Sequence, residues 1–135
     1  MLTCTNTRLP VREDESQSTP ALVEVHVGSG LPGFTVVGMP DSGVRELRER
    51  VRAAFLCSGI AWPLKRITVN VAPHGLSRLW YGARERGSLD LPIAVALAAA
   101  ARGENAPAFV PPSQLRLDGQ LRHQPTKLTD WTRTP

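Results

Sequence analysis

Two stretches of strict alternation restrict this chain more than any other feature. Between Ala21 and Val27, Val23, Val25 and Val27 point one way while Glu24 and His26 point the other. Between Arg66 and Val71 the pattern repeats, with Ile67, Val69 and Val71 on one side and Arg66, Thr68 and Asn70 on the other. A period of two with one apolar side is what a half-buried strand requires, so both segments belong to a sheet with one face in the core. Gly28-Ser29-Gly30 ends the first, and Leu31-Pro32-Gly33 supplies turn chemistry. Phe34 to Val37 is a further short β-branched run, expected to pair with the first strand.

Between the alternating stretches the period changes. After Gly38-Met39-Pro40, the apolar residues Val44, Leu47, Val51, Ala54 and Phe55 recur at helical spacing. Arg45, Glu46, Arg48, Glu49, Arg50 and Arg52 fill the other side, with Arg45–Glu49 and Glu46–Arg50 set four apart. Asp41 or Ser42 is the expected cap, since either side chain can accept from a free first-turn amide, and Gly59 is placed to end the helix. Trp62-Pro63 connects it to the second alternating stretch, which Ala72-Pro73 stops. A second helix runs from about Asp90, as N-cap, to Arg102, with Pro92 tolerated in its first turn and Gly103 beyond its end. Its alanine richness suits close packing on a sheet.

Beyond Pro107, Pro111 and Pro112, the segments Leu115–Leu117 and Gln120–Arg122 flank Asp118-Gly119, a two-residue hairpin signal. Residues 1–20, with Pro10, Pro20 and the EDESQS stretch, read as a polar lead-in that frays. Residues 123–135 carry no pattern and read as an unstructured or truncated tail. The order β-β-α-β-α-β-β over residues 21–122 predicts one α+β domain, a mixed sheet with two main helices on one face.

Composition excludes several classes. Across 135 residues, 41% are hydrophobic and 21% charged, which supports a packed core and a single domain. Sixteen Lys and Arg against twelve Asp and Glu give +4, a basic excess that permits an acidic partner without requiring one. Cys4 and Cys57 lie too far apart for a disulfide framework or a four-cysteine zinc site. The longest apolar run, Leu91 to Ala101, is too short to span a bilayer, and Glu13, Asp14 and Glu15 follow the N-terminus too closely for a secretory signal. A soluble, cytoplasmic protein with no membrane partner is expected.

Several blocks then occur together in order. VEVHV precedes GLPGFTVVGMPDSGVRELRERVRAAF (residues 30–55); KRITVNVAP (65–73), SLDLPIAVALAAA (88–100) and, more loosely, LDGQLR (117–122) follow. This arrangement closely resembles the N-terminal domain of the ComM/YifB-type, magnesium-chelatase-like AAA+ ATPases. The resemblance implies a fold like the second domain of ribosomal protein S5, shared with the proteolytic domain of Lon and the C-terminal domain of RadA. It also implies a domain that precedes an AAA+ motor, in a family whose ComM members are hexameric helicases promoting branch migration during natural transformation.

Three departures limit the transfer. No G-x-x-x-x-G-K-[ST] is present: Arg66 follows Lys65 and Leu128 follows Lys127, so neither lysine sits in a phosphate-cradling loop. The family's short turn after NVAP is replaced by the longer HGLSRLWYGARERG. The pattern dissolves after Arg122, before a motor would begin. The expected chain is therefore a stand-alone version, a split half or a truncated remnant, with a separately encoded AAA+ motor or like subunits as candidate partners. No ATP hydrolysis is expected of it.

A Lon-like peptidase would need a serine activated by a lysine. Aligned through Ile93-Ala94, the nucleophile position falls on Asp90; Ser88 and Lys127 could pair only with an altered alignment and an ordered tail. Asp90 as helix cap and Ser88 as loop residue is the plainer account. His26, His74 and His123 are scattered, with no ligand spacing to a cysteine or to one another. His26 is expected to face outward from its strand, and Cys57 to be a small, partly buried hydrophobe. Neither cofactor nor metal is implied.

DNA is the remaining candidate partner. Arg78, Arg84 and Arg86 interleave with Trp80 and Tyr81 in the Gly75–Ser88 loop, so cations could neutralise phosphates while rings stack on unpaired bases. Arg45, Arg48 and Arg52 could add a basic helical stripe, although Glu46, Glu49 and Glu85 offset these charges and a solvated face is the competing account. Gly30, Pro32 and Gly33, and Gly38, Pro40 and Asp41, form two tight reversals read as architectural, with subunit or motor contacts as the alternative. The leading expectation is a non-catalytic domain of a DNA-processing ATPase family. The alternatives are a Ser-Lys peptidase and a decayed fragment without function.

Overall fold

A computed structural model describes residues 5–11, 21–72, 89–122 and 124–132. Its elements are β1 (Thr5–Val11), β2 (Ala21–Gly28), β3 (Gly33–Val36), α1 (Asp41–Cys57), β4 (Arg66–Ala72), α2 (Asp90–Arg102) and α3 (Leu128–Thr132). The four strands form one sheet in the order β1-β2-β4-β3. β1 and β2 are antiparallel, as are β2 and β4, while β3 runs parallel to β4. The mixed α+β architecture expected from the sequence is what the chain adopts.

The alternating residues sit as their period demands. Val23, Val25, Val27, Ile67, Val69 and Val71 are buried, and the register sets Val25 opposite Val69. The opposite face stays polar: Arg8 Nε lies 3.4 Å from Glu24 Oε2, and Asn70 donates to Glu24 at 3.1 Å across the strands. α1 buries Leu47, Val51, Ala54 and Phe55, leaving its other side to solvent. α2 is buried on all sides from Asp90 to Ala100. Its run of methyl side chains lets it lie close against β1 and β2, as a helix enclosed by core must.

Four expectations about elements are corrected. Residues 5–11 are a strand, not a frayed lead-in: Thr7, Leu9 and Val11 alternate into the core, and Pro10 is tolerated because β1 is an edge. The first two strands predicted, now β2 and β3, do not pair. β4, the second alternating segment, lies between them and bonds on both sides, while the four-residue β3 takes the edge and returns to β4 through α1. The tail is ordered at α3, where Leu128 is buried and its N–H donates to Gly119 C=O at 2.7 Å. One apolar side chain in five residues gives no periodicity to read.

The two strands expected around Asp118-Gly119 reduce to isolated bridges, Leu115 opposite Leu121 and Gln120 opposite Lys127, and the turn is also longer than a two-residue loop. Arg116 N–H donates to Gln120 C=O at 2.8 Å, and Gly119 N–H to Arg116 C=O at 3.0 Å, enclosing Leu117, Asp118 and Gly119. Gly119 takes φ +93°, the left-handed residue such a turn needs.

Candidate functional site

The two sides of α1 carry different chemistry. Arg45, Arg48 and Arg52 stand at i, i+3 and i+7, which places them along one side of the helix. Arg45 and Arg52 are exposed and Arg48 is half-buried. Arg48 Nη2 lies 3.4 Å from Glu49 Oε1, an exposed pair of little energetic weight. Its Nε is shielded from solvent with no hydrogen-bond partner. The structure therefore brings these three arginines together as a stripe.

Arg50 points elsewhere. Its Nε donates to Asp90 Oδ2 at 2.8 Å and its Nη2 to Asp90 Oδ1 at 3.1 Å, a bidentate pair between α1 and the start of α2. The expected Glu46–Arg50 pairing gives way to this contact, because a fully buried carboxylate demands compensation more strongly than an exposed one. Asp90 has no solvent exposure, and its Oδ2 also accepts the backbone N–H of Leu115 at 3.1 Å. Burial pushes its carboxyl up to about 6, against the opposing pull of Arg50 and the Leu115 amide. It remains ionised at neutral pH.

Asp90 is thus a clasp, not the helix cap expected. The N-cap position belongs to Leu89, which makes no side-chain cap bond. At α1 the cap likewise moves one residue earlier: Pro40 occupies it in an extended conformation, and Val44 N–H donates to Pro40 C=O at 3.0 Å. Neither Asp41 nor Ser42 caps; Asp41 instead places its charge in the first turn, where the helix dipole favours it. A buried, double-clamped Asp90 offers no nucleophile and no approach for a peptide, which removes the peptidase alignment through that position.

The remaining predicted residues fall as follows. Gly30 and Gly38 hold φ +123° and +85°, values that call for glycine, whereas Gly33 does not and simply begins β3. Pro32 is exposed in the turn before it. His26 is exposed on the polar sheet face, as expected of an outward strand residue. Cys57 is exposed, not partly buried, because it lies off the Leu47–Val51–Ala54–Phe55 side of α1. Lys127 is exposed, and its N–H donates to Asp130 Oδ2 at 2.9 Å. Arg78, Trp80, Tyr81, Arg84, Arg86, His74, Ser88 and His123 lie outside the described residues.

Among the described residues no group of three or more His, Cys, Asp or Glu side chains could hold a metal ion. No helix among them is long and apolar enough to cross a membrane. The Arg50–Asp90 clasp is the feature that sequence reasoning missed; its only signal is a single acid at the head of the otherwise apolar LDLPIAVALAAAA.

Comparison with known proteins gives the chain a family. Residues 23–131 match the family described as subunit ChlI of Mg-chelatase. The chain is 43% identical over 116 residues to the uncharacterized protein YifB of Salmonella typhimurium, covering 84% of this chain and 22% of the relative. It is 42% identical to YifB of Escherichia coli over the same length and shares. With the competence protein ComM of Haemophilus influenzae it shares 41% identity over 109 residues, 78% of this chain and 20% of the relative. The match lies in the N-terminal part of these relatives, and the chain spans about a fifth of their length.

Proposed function

Because the chain belongs to the family of subunit ChlI of Mg-chelatase, we propose that it is the non-catalytic, DNA-positioning domain of a cytoplasmic DNA-processing ATPase of ComM/YifB type. The observation carrying this reading is the side of α1 on which Arg45, Arg48 and Arg52 align while Arg50 is drawn away to Asp90. Three arginines on one helix side can follow a phosphate backbone without reading sequence. A relative named as a competence protein supports DNA as the polyanion. In this reading the bond-breaking step, nucleotide hydrolysis, belongs to the part of the family polypeptide outside the matched region. The work of this domain is holding and aligning a strand, such as one undergoing branch migration.

The test is a salt titration. Fluorescence anisotropy with a labelled single-stranded oligonucleotide should give binding that weakens steeply as salt rises. Replacing Arg45, Arg48 and Arg52 together by Gln should lower affinity and reduce the log–log salt slope by about 2, the share of three phosphate contacts on a single strand. The pair Arg84→Ala with Arg86→Ala should flatten the slope further. Unchanged affinity and slope in the triple variant would remove α1 from the reading.

A further inference from the structure

Among the described residues, four of the five large hydrophobic side chains left in water lie toward one end of the fold. Leu31 is 84% exposed and Leu64 79%, and both precede the paired ends of β3 and β4, where Gly33 N–H donates to Lys65 C=O at 3.3 Å. Leu56 and Leu117 are each 61% exposed. The last turn of α1 reaches the same end. Trp62, just ahead of Leu64, packs edge-on against Phe55 at 5.4 Å and beside Phe34 at 5.9 Å, so α1 finishes where β3 begins. The hairpin turn arrives there too: a Cβ on Gly119 would stand 2.5 Å from Ser58 Oγ at the α1 C-cap.

Folding leaves single leucines exposed often, but a group of them at one end marks a surface that is covered in use. Its rim is basic. Lys65 and Arg66 follow Leu64, and Arg116 precedes Leu117; all three are exposed. Two acids lie at this end as well: Asp118, whose Oδ1 accepts Gln120 N–H at 3.0 Å, and Glu104, which stands 3.8 Å from Arg102 in the cleft beside Ser58, Gly59 and Ile60, so the basic groups still outnumber the acidic ones. A basic rim disfavours self-association face to face and calls for an apolar surface edged with acidic groups.

The last described helix lies at this end too. Thr129 and Thr132 of α3 line a shallow cleft together with Ser58, Gly59 and Ile60, so α3 lies beside the same end of α1. In the relatives, 22% or less of the length is matched, at the N-terminal part, and the rest follows.

We propose that the Leu31–Leu56–Leu64–Leu117 surface is the docking face for the polypeptide that follows this region in full-length family members, which presents an apolar patch with an acidic border. The proposal rests on family membership and on this geometry, and is independent of the DNA reading.

The test joins residues 1–135 in frame to the part of Escherichia coli YifB that follows its matched region. Hydrogen exchange in this fusion is compared with that of the isolated chain. Amides at 29–33, 56–65 and 116–120 should exchange about tenfold or more slowly in the fusion. Leu31→Asp with Leu64→Asp should return them to the isolated rate, and because both side chains are largely exposed the isolated double variant should melt within about 5 °C of the parent. If the fusion is insoluble, the same remainder is offered in trans, where the double variant should bind about tenfold more weakly or worse. Unchanged exchange at this end, slowing that the double variant leaves intact, or no binding in trans overturns the proposal. So does dimerisation of the isolated chain that Leu64→Asp abolishes, which would make a second copy the occupant. Co-sedimentation with phosphatidylserine vesicles, lost in the same variant, would overturn it in favour of a lipid surface. DNA affinity is not among these readouts, so failure here leaves the α1 reading standing, and failure there leaves this one.

Discussion

Replacing Arg50 by Met tests the clasp at its centre. The substitution keeps most of the side-chain volume and removes both guanidinium bonds to Asp90, at 2.8 and 3.1 Å, leaving only the Leu115 amide on a carboxylate with no solvent exposure. Stranding one partner of a buried pair costs about 3–5 kcal/mol. The carboxyl has an escape, which is to take up a proton. In the intact protein its folded value, about 6, lies above the ordinary 3.8. The folded state therefore binds more protons than the unfolded state between those values, and stability falls as pH rises through that window by up to about 3 kcal/mol. It levels off above.

In Arg50→Met the folded value rises further, because the guanidinium is the main group holding it down. Its stability should go on falling above pH 6, adding about 1.4 kcal/mol for each further unit of displacement. Urea denaturation at pH 5 and pH 8 measures this directly. The deficit against wild type should be small at pH 5 and should approach about 3–5 kcal/mol at pH 8, a drop of more than about 10 °C in melting temperature for a domain of this size. Asp90→Asn combined with Arg50→Met removes both charges and should recover most of the loss at pH 8. An equal deficit at the two pH values, or one below about 1 kcal/mol at pH 8, would refute the reasoning.

Other perturbations follow from the same geometry. Leu128→Ala, which empties a fully buried site in α3, should cost about 2–5 kcal/mol by chemical denaturation, whereas an unstructured tail would show no effect. Gly38→Ala forces a side chain to φ +85° and should lose about 1–2 kcal/mol; Gly33→Ala, without positive φ, should lose less in the same assay. Cys57, exposed at the end of α1, should react with a thiol reagent in the folded protein at close to its unfolded rate, and protection would contradict its placement. Arg45→Gln and Arg52→Gln, on the solvent side of α1, should each shift stability by no more than about 0.5 kcal/mol, so that any loss of DNA affinity reports binding.

Legibility followed the length over which a pattern could be read. β2, β4 and α1 were visible because seven to seventeen residues kept one period, long enough for sidedness to show. β1 has the same alternation in Thr7, Leu9 and Val11, but Arg8 and Pro10 between them resemble a loop until an edge position explains the proline. The pairing of β2 with β4 was not legible, since alternation names a face and says nothing of neighbours. On α1 the stripe of Arg45, Arg48 and Arg52 was readable from spacing alone. The partner of Arg50 was not, because it comes from forty positions away and only the tertiary fold unites them.

The strand order has a consequence for how the domain is made. β2 leaves the ribosome early but finds its inner neighbour only after β3, α1 and β4 have followed, because the central pairing is between β2 and β4. Until then its valines and the polar groups along one edge stay open, while β1 and β2 can already meet as a hairpin. Long-range pairing of this kind makes folding slow relative to helix formation. The last step waits longer still: Leu128 must emerge before its amide can close onto Gly119 and its side chain can enter the core. During synthesis the four strands can therefore be complete once Ala72 is clear of the tunnel, but the core beneath them stays open until nearly the whole length has emerged, and that interval is when apolar surface is most exposed to aggregation.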